Sequence, residues 1–357
     1  MTSISSTHTT RLLIISYVLL WPSLTCSAFT HMAPLSSIGS TSVHRSFTAT
    51  PTRTGRAVSL PPPPFRNRAS KCHRYPPTST NRNPNPFERT QLSLSLDVFS
   101  TLFNAGGNVP FLPSLGLNAA LFLVLRSKLD KVLTPEGFAH SLALGTLLWT
   151  TLGWRGWTIC VLYLFLGSAV TKVRFAEKEK MGIAEGRGGR RGPENVWGSA
   201  ATALLCAACS VQGSSFLGIG TDLYLLAYVS SLATKLSDTF ASEIGKAYGK
   251  TTFLITTLEK VPPGTEGAVS AEGTAAALVG GSLLPLYAFF IQMISLPGVA
   301  VATVAAFLAT NAESLIGATI QGKEGYAWMT NEVVNFFNTV IGAGLAIFGG
   351  LMFLRMT

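Results

Sequence analysis

Apolar stretches recur along the chain from about residue 109 to its C-terminus, and they constrain the fold more than any other feature of the sequence. The candidate membrane spans lie at 109–125, 138–153, 156–172, 196–212, 216–240, 270–293, 298–319 and 332–354. A helix needs about 20 residues to cross a hydrocarbon core of ~30 Å, and some of these stretches are shorter. We therefore predict an all-α fold, a polytopic transmembrane helix bundle of about six to eight spans.

Basic residues are concentrated in the segments that join alternate spans. Lysines and arginines occur in 126–131, 172–191 and 246–260, and Lys323 lies in the next such segment. The intervening turns carry almost no cations apart from Arg155. Because this distribution follows the positive-inside pattern, we expect all the basic loops to face one compartment.

Acidic and amide side chains gather at the same end of the predicted bundle as the basic loops. The group comprises Asp238, Glu243, Glu266, Glu272, Glu313, Asn331, Asn335 and Asn338. The three asparagines follow an i, i+4, i+7 spacing, which places them on one stripe of a helix. An ionised carboxylate within a membrane is costly and is usually kept for a function. We therefore predict that these groups share one site.

The residue types at this end of the bundle suit phosphoryl chemistry. Carboxylate and amide oxygens are ligands for Mg²⁺, which usually binds through one or two carboxylates together with substrate phosphates. The loop EGRGGRRGPEN at 185–195 supplies Arg187, Arg190 and Arg191, whose guanidinium groups match phosphate oxygens. Gly264 and Gly267 belong to a second glycine-rich loop, which leads into a helix N-terminus and is a natural phosphate seat. We predict Mg²⁺ as cofactor and a nucleoside triphosphate as co-substrate.

Each of these segments also has a purely structural interpretation. The basic run 172–191 could be an ordinary loop that binds anionic lipid, and the asparagine stripe could hold helices together. Glu313 could pair with a lysine. Packing alone explains the convergence of carboxylates, amides and arginines poorly, so a shared site is favoured. His140 is the only histidine after residue 90, so a histidine-based catalytic triad is not expected.

Four segments resemble one known family of membrane proteins. They are GIAEGRGGRRGPENVWGSAA, LSDTFASEIGKAYGKTTFLITTLEKVPPGTEGAVSAEGTAA, NAESLIGATIQG and TNEVVNFFNTVIGA. These motifs are similar to the plant phytyl-phosphate kinase family, which also includes animal transmembrane protein 19, and the likeness covers roughly residues 110–357. A more distant similarity links the chain to dolichol kinases and phosphatidate cytidylyltransferases.

The resemblance implies a plastid membrane enzyme that phosphorylates phytyl monophosphate to phytyl diphosphate for tocopherol and phylloquinone synthesis. It implies a nucleoside triphosphate such as CTP, with Mg²⁺, and a prenyl-phosphate lipid as partner. By position, Asp238 would be the principal metal ligand with Glu243 in support, and Glu266 and Glu272 would lie in the nucleotide loop. The predicted phosphate and nucleotide contacts are Arg187, Arg190, Arg191, Asn195, Lys235, Gly264 and Gly267. The predicted metal ligands are Asp238, Glu313, Asn331 and Asn335.

Two other functions compete with a lipid-phosphate kinase. An ion-coupled transporter would use intramembrane acids to couple ions to substrate movement, although such acids usually lie at the midplane. A lipid-phosphate cytidylyltransferase would attach the nucleotide itself to the lipid and release pyrophosphate. The sequence leaves nucleotide preference, prenyl chain length and oligomeric state open.

The first 90 residues differ from the rest in charge and composition. They hold ten of the Lys/Arg and one acid, so the net charge of +10 arises mostly there and gives no support to nucleic-acid binding. Arg11 and the apolar run LLIISYVLL predict a signal peptide at 1–28, because the run is too short to span. Residues 29–90 are rich in Ser, Thr, Pro and Arg and are predicted to be disordered. Together they resemble the bipartite plastid presequence of algae with complex plastids; a secreted protein with a linker is the alternative. Residues 91–357 are the predicted membrane domain.

Overall fold

The computed structural model describes residues 97–104, 106–212 and 217–354. The predicted signal peptide and transit-like segment therefore lie outside the described residues. Residues 97–102 are helical. The helices that follow are α1 Phe111–Val124, α2 Arg126–Leu129, α3 Pro135–Thr171, α4 Phe175–Lys180, α5 Pro193–Ser210, α6 Thr221–Tyr248, α7 Ala271–Phe290, α8 Leu296–Thr319 and α9 Asn331–Phe353. The described chain is an all-α membrane bundle, as predicted.

Helix α3 is a hairpin of two antiparallel arms that meet at Gly153. The backbone of Gly153 has φ 62° and ψ −157°, and a Cβ there would lie 2.7 Å from the Asn104 carbonyl oxygen. Gly145 of the first arm lies beside Trp157 of the second, since a Cβ on Gly145 would be 3.1 Å from the indole nitrogen. A straight helix would separate these residues by about 18 Å at ~1.5 Å per residue. The predicted spans 138–153 and 156–172 are these two arms.

Helix α6 is the centre of the bundle and contacts α3, α5, α7, α8 and α9. Every residue from Leu226 to Thr239 is buried, and most of them are small. Hydroxyl groups on α6 donate to backbone carbonyls of neighbouring helices: Tyr228 to Gly156 at 2.7 Å and Ser237 to Ala277 at 2.9 Å. Such bonds let polar residues lie inside a membrane bundle. The helix continues to Tyr248, beyond the predicted end at 240.

Helices α7, α8 and α9 are the three described helices that are long and apolar enough to cross a membrane, and α1 is a shorter apolar helix. They correspond to the predicted spans 270–293, 298–319 and 332–354. Each presents large apolar side chains outward, such as Val279, Val304 and Phe348. Apolar side chains on the outside of a bundle suit contact with lipid. The total number of spans stays a prediction.

A short β-hairpin interrupts the helical architecture between α6 and α7. Strands β1 Phe253–Leu254 and β2 Ala268–Val269 pair antiparallel, with Phe253 opposite Val269. The sequence analysis did not predict these strands, because two residues are too few for an alternating pattern to be visible. The pairing closes the glycine-rich loop between the strands and holds it at the end of the bundle.

Candidate functional site

A polar cavity of about 480 Å³ opens at one end of the bundle. Its walls are the C-terminal half of α6, the N-terminal ends of α5, α7 and α9, and residues 307–314 of α8, together with the loops 184–191 and 263–269. Of the predicted site residues, those that line it are Asp238, Glu266, Arg187, Arg190, Arg191, Asn195, Lys235, Gly264, Gly267, Glu313, Asn331 and Asn335. The structure thus brings together segments that are far apart in the sequence.

Lys235 links two helices at the base of this cavity. Its ammonium group lies 2.5 Å from Oδ2 of Asp238 on the same helix and 2.6 Å from Oδ1 of Asn335 on α9. The three residues are only 7%, 8% and 4% exposed. Charged groups this deeply buried require partners, and each charge here has one. The link therefore fixes Asp238 in position before any ligand arrives.

Glu313 of α8 brings a second carboxyl group to Asp238, within hydrogen-bonding reach, and also interacts with Lys235 and Glu266. Two ionised carboxylates this close repel each other unless they share a proton or a cation. Their oxygens are the hard ligands that Mg²⁺ takes, and two carboxylates with substrate phosphates suffice for that ion. Within the described chain, no group of three or more His, Cys, Asp or Glu side chains is placed to hold a metal. The pair therefore fits Mg²⁺ only as part of a shared site with phosphates.

Glu266 and Lys246 face the cavity from opposite walls. Burial raises the pKa of Glu266 above its ordinary value; Lys246 opposes this shift, while Asp238 and Glu185 add to it. The loop that carries Glu266 turns at Gly264 and Gly267, whose φ angles are +89° and +74°. A Cβ on Gly267 would lie 2.5 Å from the Ala318 side chain, so glycine is required for the loop to pack on α8.

The three predicted phosphate-binding arginines have different surroundings. The Arg187 guanidinium pairs with Glu194 and donates to Oδ1 of Asn195 at 2.8 Å. Arg191 donates to the Tyr163 hydroxyl at 3.3 Å, with its guanidinium 5.5 Å from the centre of that ring. Arg190 is exposed, and the one hydrogen bond of its side chain within the described residues is a long contact of 3.5 Å to the Arg187 carbonyl. Arg190 is therefore the arginine with its charge most available to a ligand.

Two of the predicted catalytic acids lie outside the cavity lining. Glu243, 1% exposed, pairs with the fully buried Lys178 of α4, and its other oxygen lies 3.4 Å from Lys246. Lys178 also donates to the Thr171 carbonyl at 2.8 Å. Glu272 lies in the first turn of α7, a position that suits a helix N-terminus. Through Lys178, Glu243 of α6 is joined to α4 and to the C-terminal end of α3. Lys246 is the residue that connects Glu243 to the cavity.

Several cavity residues were not predicted as site residues from the sequence. Sequence analysis places Lys246 only in the basic segment 246–260. Its position three residues after Glu243 on one helix face also indicates that the two side chains can pair. Glu332 of α9 also lines the cavity and accepts from Asn195 of α5, whose side-chain oxygen accepts from Arg187. Thr310 and Asn311 line the wall before Glu313 on α8. The i−3 spacing of Thr310 from Glu313 could have revealed a polar stripe.

The fold and the polar cavity together define the class of protein. The chain is a helical integral membrane protein with a cavity lined by charged side chains at one end of its bundle. The chain belongs to the family described as integral membrane protein DUF92, whose model matches residues 118–343. A membrane protein of the cyanobacterium Synechocystis is 52% identical over 239 residues, covering 67% of this chain and 90% of the relative.

Two further relatives come from a plant and an archaeon. Protein VTE6, chloroplastic, of Arabidopsis thaliana is 44% identical over 233 residues, which is 64% of this chain and 69% of the relative. A membrane protein of Methanocaldococcus jannaschii is 29% identical over 225 residues, with 63% and 89% covered. No solved structure matches the chain. The matches confirm the family resemblance drawn from the motifs.

Proposed function

We propose that the protein is a membrane-embedded prenyl-phosphate kinase that converts phytyl monophosphate to phytyl diphosphate with a nucleoside triphosphate, CTP being the nucleotide we favour. The observation that carries the proposal is the Asp238–Glu313 carboxyl pair beside Lys235, inside a cavity walled by an arginine loop and a glycine-rich loop. Family membership together with a plant relative supports the same conclusion.

The reaction moves one phosphoryl group between two phosphates. An oxygen of the lipid phosphate forms a bond to the terminal phosphorus, and the bond from that phosphorus to the bridging oxygen breaks, which releases a nucleoside diphosphate. The attacking oxygen is already ionised, so no strong general base is needed. The described cavity lining contains no histidine, in keeping with such a step.

The chain's own residues supply positioning and charge. Asp238 and Glu313 would hold Mg²⁺, which when bound neutralises charge on the triphosphate. Lys235 fixes Asp238 and compensates one negative charge. Arg190 and Lys246, on the cavity walls, neutralise phosphate oxygens, and the glycine-rich loop lets backbone N–H groups approach them.

We place the enzyme in a plastid membrane and its product in tocopherol and phylloquinone synthesis. The relative in Arabidopsis is named as chloroplastic, and another relative is cyanobacterial. The basic, acid-poor first 90 residues suit a plastid presequence. Import assays with a fluorescent fusion of the full chain test this location.

The experiment that tests the activity uses purified protein in vesicles, phytyl phosphate and labelled CTP. Transfer of label from the γ-position to lipid identifies a kinase, and transfer from the α-position identifies a cytidylyltransferase. If neither label reaches the lipid, the kinase proposal fails and a transporter becomes the better explanation. The Asp238→Asn variant serves as the inactive control.

A further inference from the structure

A second, apolar cavity of about 60 Å³ lies between α1, the two arms of α3 and α5. Its walls are formed mainly by carbon atoms, from residues that include Phe122, Leu144, Trp157, Cys160, Leu164 and Val196. Such a lining cannot hydrogen-bond a polar ligand but can bury hydrocarbon. We call this space the hairpin groove.

The hairpin groove and the polar cavity share two lining residues, Arg191 and Asn195. Arg191 stands at this junction, where its guanidinium faces the ring of Tyr163 and donates to its hydroxyl. The Nε of Arg191 is buried and has no hydrogen-bond partner among the residues that the structure describes. A buried donor on a cation favours an anionic oxygen at the junction.

The opposite end of the hairpin groove is defined by a polar contact between helices. Trp157 donates to Oδ1 of Asn118 at 2.7 Å, and Gly145 packs against both side chains. The lining residues of the second arm run from Trp157 to Leu164, which span about 10 Å at ~1.5 Å per residue. A narrow space of this length suits the first part of one hydrocarbon chain.

We infer that the hairpin groove binds the phosphate-proximal part of the prenyl chain of the lipid substrate, with the phosphate beside Arg191. This inference rests on the proposed function and adds to it the place where the tail enters the bundle, because a space of about 60 Å³ holds only the first carbons of a phytyl chain. The occupant is a prenyl monophosphate because the groove couples a hydrocarbon channel to a cation that also lines the phosphate cavity. A bilayer phospholipid joins two acyl chains to its phosphate, and the groove is too narrow for both.

The first test measures binding without turnover. A phytyl monophosphate analogue with a diazirine near the phosphate end of its chain is bound to the full-length protein in vesicles and photolysed. We expect label in peptides of α1, α3 and α5, and we expect unlabelled phytyl phosphate to displace it. Label confined to the outward faces of α7, α8 and α9 would overturn the inference. Displacement by phospholipid as readily as by phytyl phosphate would also overturn it, because the occupant would then be a bilayer lipid.

The second test narrows the groove from two sides. Cys160→Phe and Ser141→Phe place a ring in the groove, and Ala143→Phe makes a similar change at an exposed position on the same hairpin. We expect the first two variants to raise KM for phytyl phosphate about tenfold or more, as loss of fit in an apolar pocket does. Activity on a short-chain prenyl phosphate should stay unchanged in all three. Equal loss with both substrates, or no change with either, would contradict a role in tail binding.

The two proposals fail in different ways. If displaceable label is found in the hairpin groove but no γ-phosphate is transferred, the tail-binding proposal stands and the kinase proposal fails. If phosphate is transferred but the groove variants depend on chain length as the unmodified protein does, the kinase proposal stands and the tail-binding proposal fails. Ser141→Leu, a smaller change, provides a second variant if the phenylalanine variants do not fold.

Discussion

The ammonium group of Lys235 lies 2.5 Å from the carboxylate of Asp238, one turn along the same helix. The Glu313 carboxyl joins them, so two acids and one base meet at the base of the cavity. With both acids ionised, one negative charge remains uncompensated by the lysine. A divalent cation bound with phosphates would remove that imbalance, which gives Asp238 and Glu313 a chemical role that packing does not explain.

Asp238→Asn should abolish phosphoryl transfer while the fold is retained, because Glu313 and Asn335 remain as partners of Lys235. The amide keeps the size of the side chain but removes the negative charge that a metal requires, so we expect kcat to fall at least about 100-fold. The assay is γ-phosphate transfer to phytyl phosphate, with the unfolding temperature measured in parallel. Asp222→Asn, an exposed change in the first turn of the same helix, is the control and should retain activity. Full activity in Asp238→Asn would remove this residue from the site.

Breaking the buried pair between Lys178 and Glu243 should destabilise the protein strongly. Glu243→Gln leaves the buried Lys178 without its acidic partner, at a cost of about 3–5 kcal/mol, whereas Lys178→Met leaves Glu243 the longer contact to Lys246 and should cost less. The double variant Lys178→Met/Glu243→Met should recover part of this loss, since no lone charge remains. Thermal unfolding in detergent measures the effect.

The exposed pair of Arg126 and Asp130, 3.8 Å apart, provides the matched control for that experiment. Asp130→Asn should change the free energy of unfolding by at most about 1 kcal/mol. A Glu243→Gln variant that keeps its unfolding temperature but loses turnover would instead indicate a direct catalytic role for Glu243.

Gly267→Ala should displace the glycine-rich loop from α8. The residue has φ +74°, which costs an alanine roughly 1–2 kcal/mol, and the added carbon would also meet Ala318 at 2.5 Å. Gly182→Ala is the control, because Gly182 has φ +72° but open space around it. We expect faster proteolysis of residues 255–267 and a higher KM for nucleotide only in Gly267→Ala. Equal effects in both variants would mean that backbone strain alone, and not packing on α8, is responsible.

Arg190→Ala should weaken substrate binding with little effect on stability. Its side chain is exposed and makes only one long hydrogen bond, so few native contacts are lost. Loss of a charge-assisted contact to phosphate should raise KM about tenfold or more, at ~1.4 kcal/mol per tenfold. Lys180→Ala, an exposed cation outside the cavity lining, is the control. An unchanged KM in Arg190→Ala would show that Arg190 does not contact substrate.

The sequence predicted the helical bundle and the residues that gather at its end because both leave local signals. Apolar length marks α7, α8 and α9, and carboxylates such as Asp238 and Glu313 stand out against apolar surroundings. The loops carrying Arg190 and Glu266 are rich in glycine, which marks a backbone that approaches other groups closely.

Other features depend on contacts that the sequence does not display. Lys178 was one cation among many in a basic loop, and only tertiary packing gives it Glu243 as a partner. The same packing takes Glu243 away from the cavity lining. The antiparallel course of the α3 arms depends on Gly153 and on its fit against Asn104, a contact that spacing along the chain cannot reveal. The hairpin groove exists because the two arms of α3 run antiparallel, so the sequence does not reveal it either.

The hydrogen bond between Lys235 and Asn335 joins residues 100 positions apart, and its acceptor belongs to the last described helix. During synthesis, the base of the cavity therefore stays incomplete until residue 335 has left the ribosome and α9 has packed against α6. A polypeptide truncated before α9 would reach the membrane with Lys235 and Asp238 in place but without the amide that ties them to the rest of the bundle.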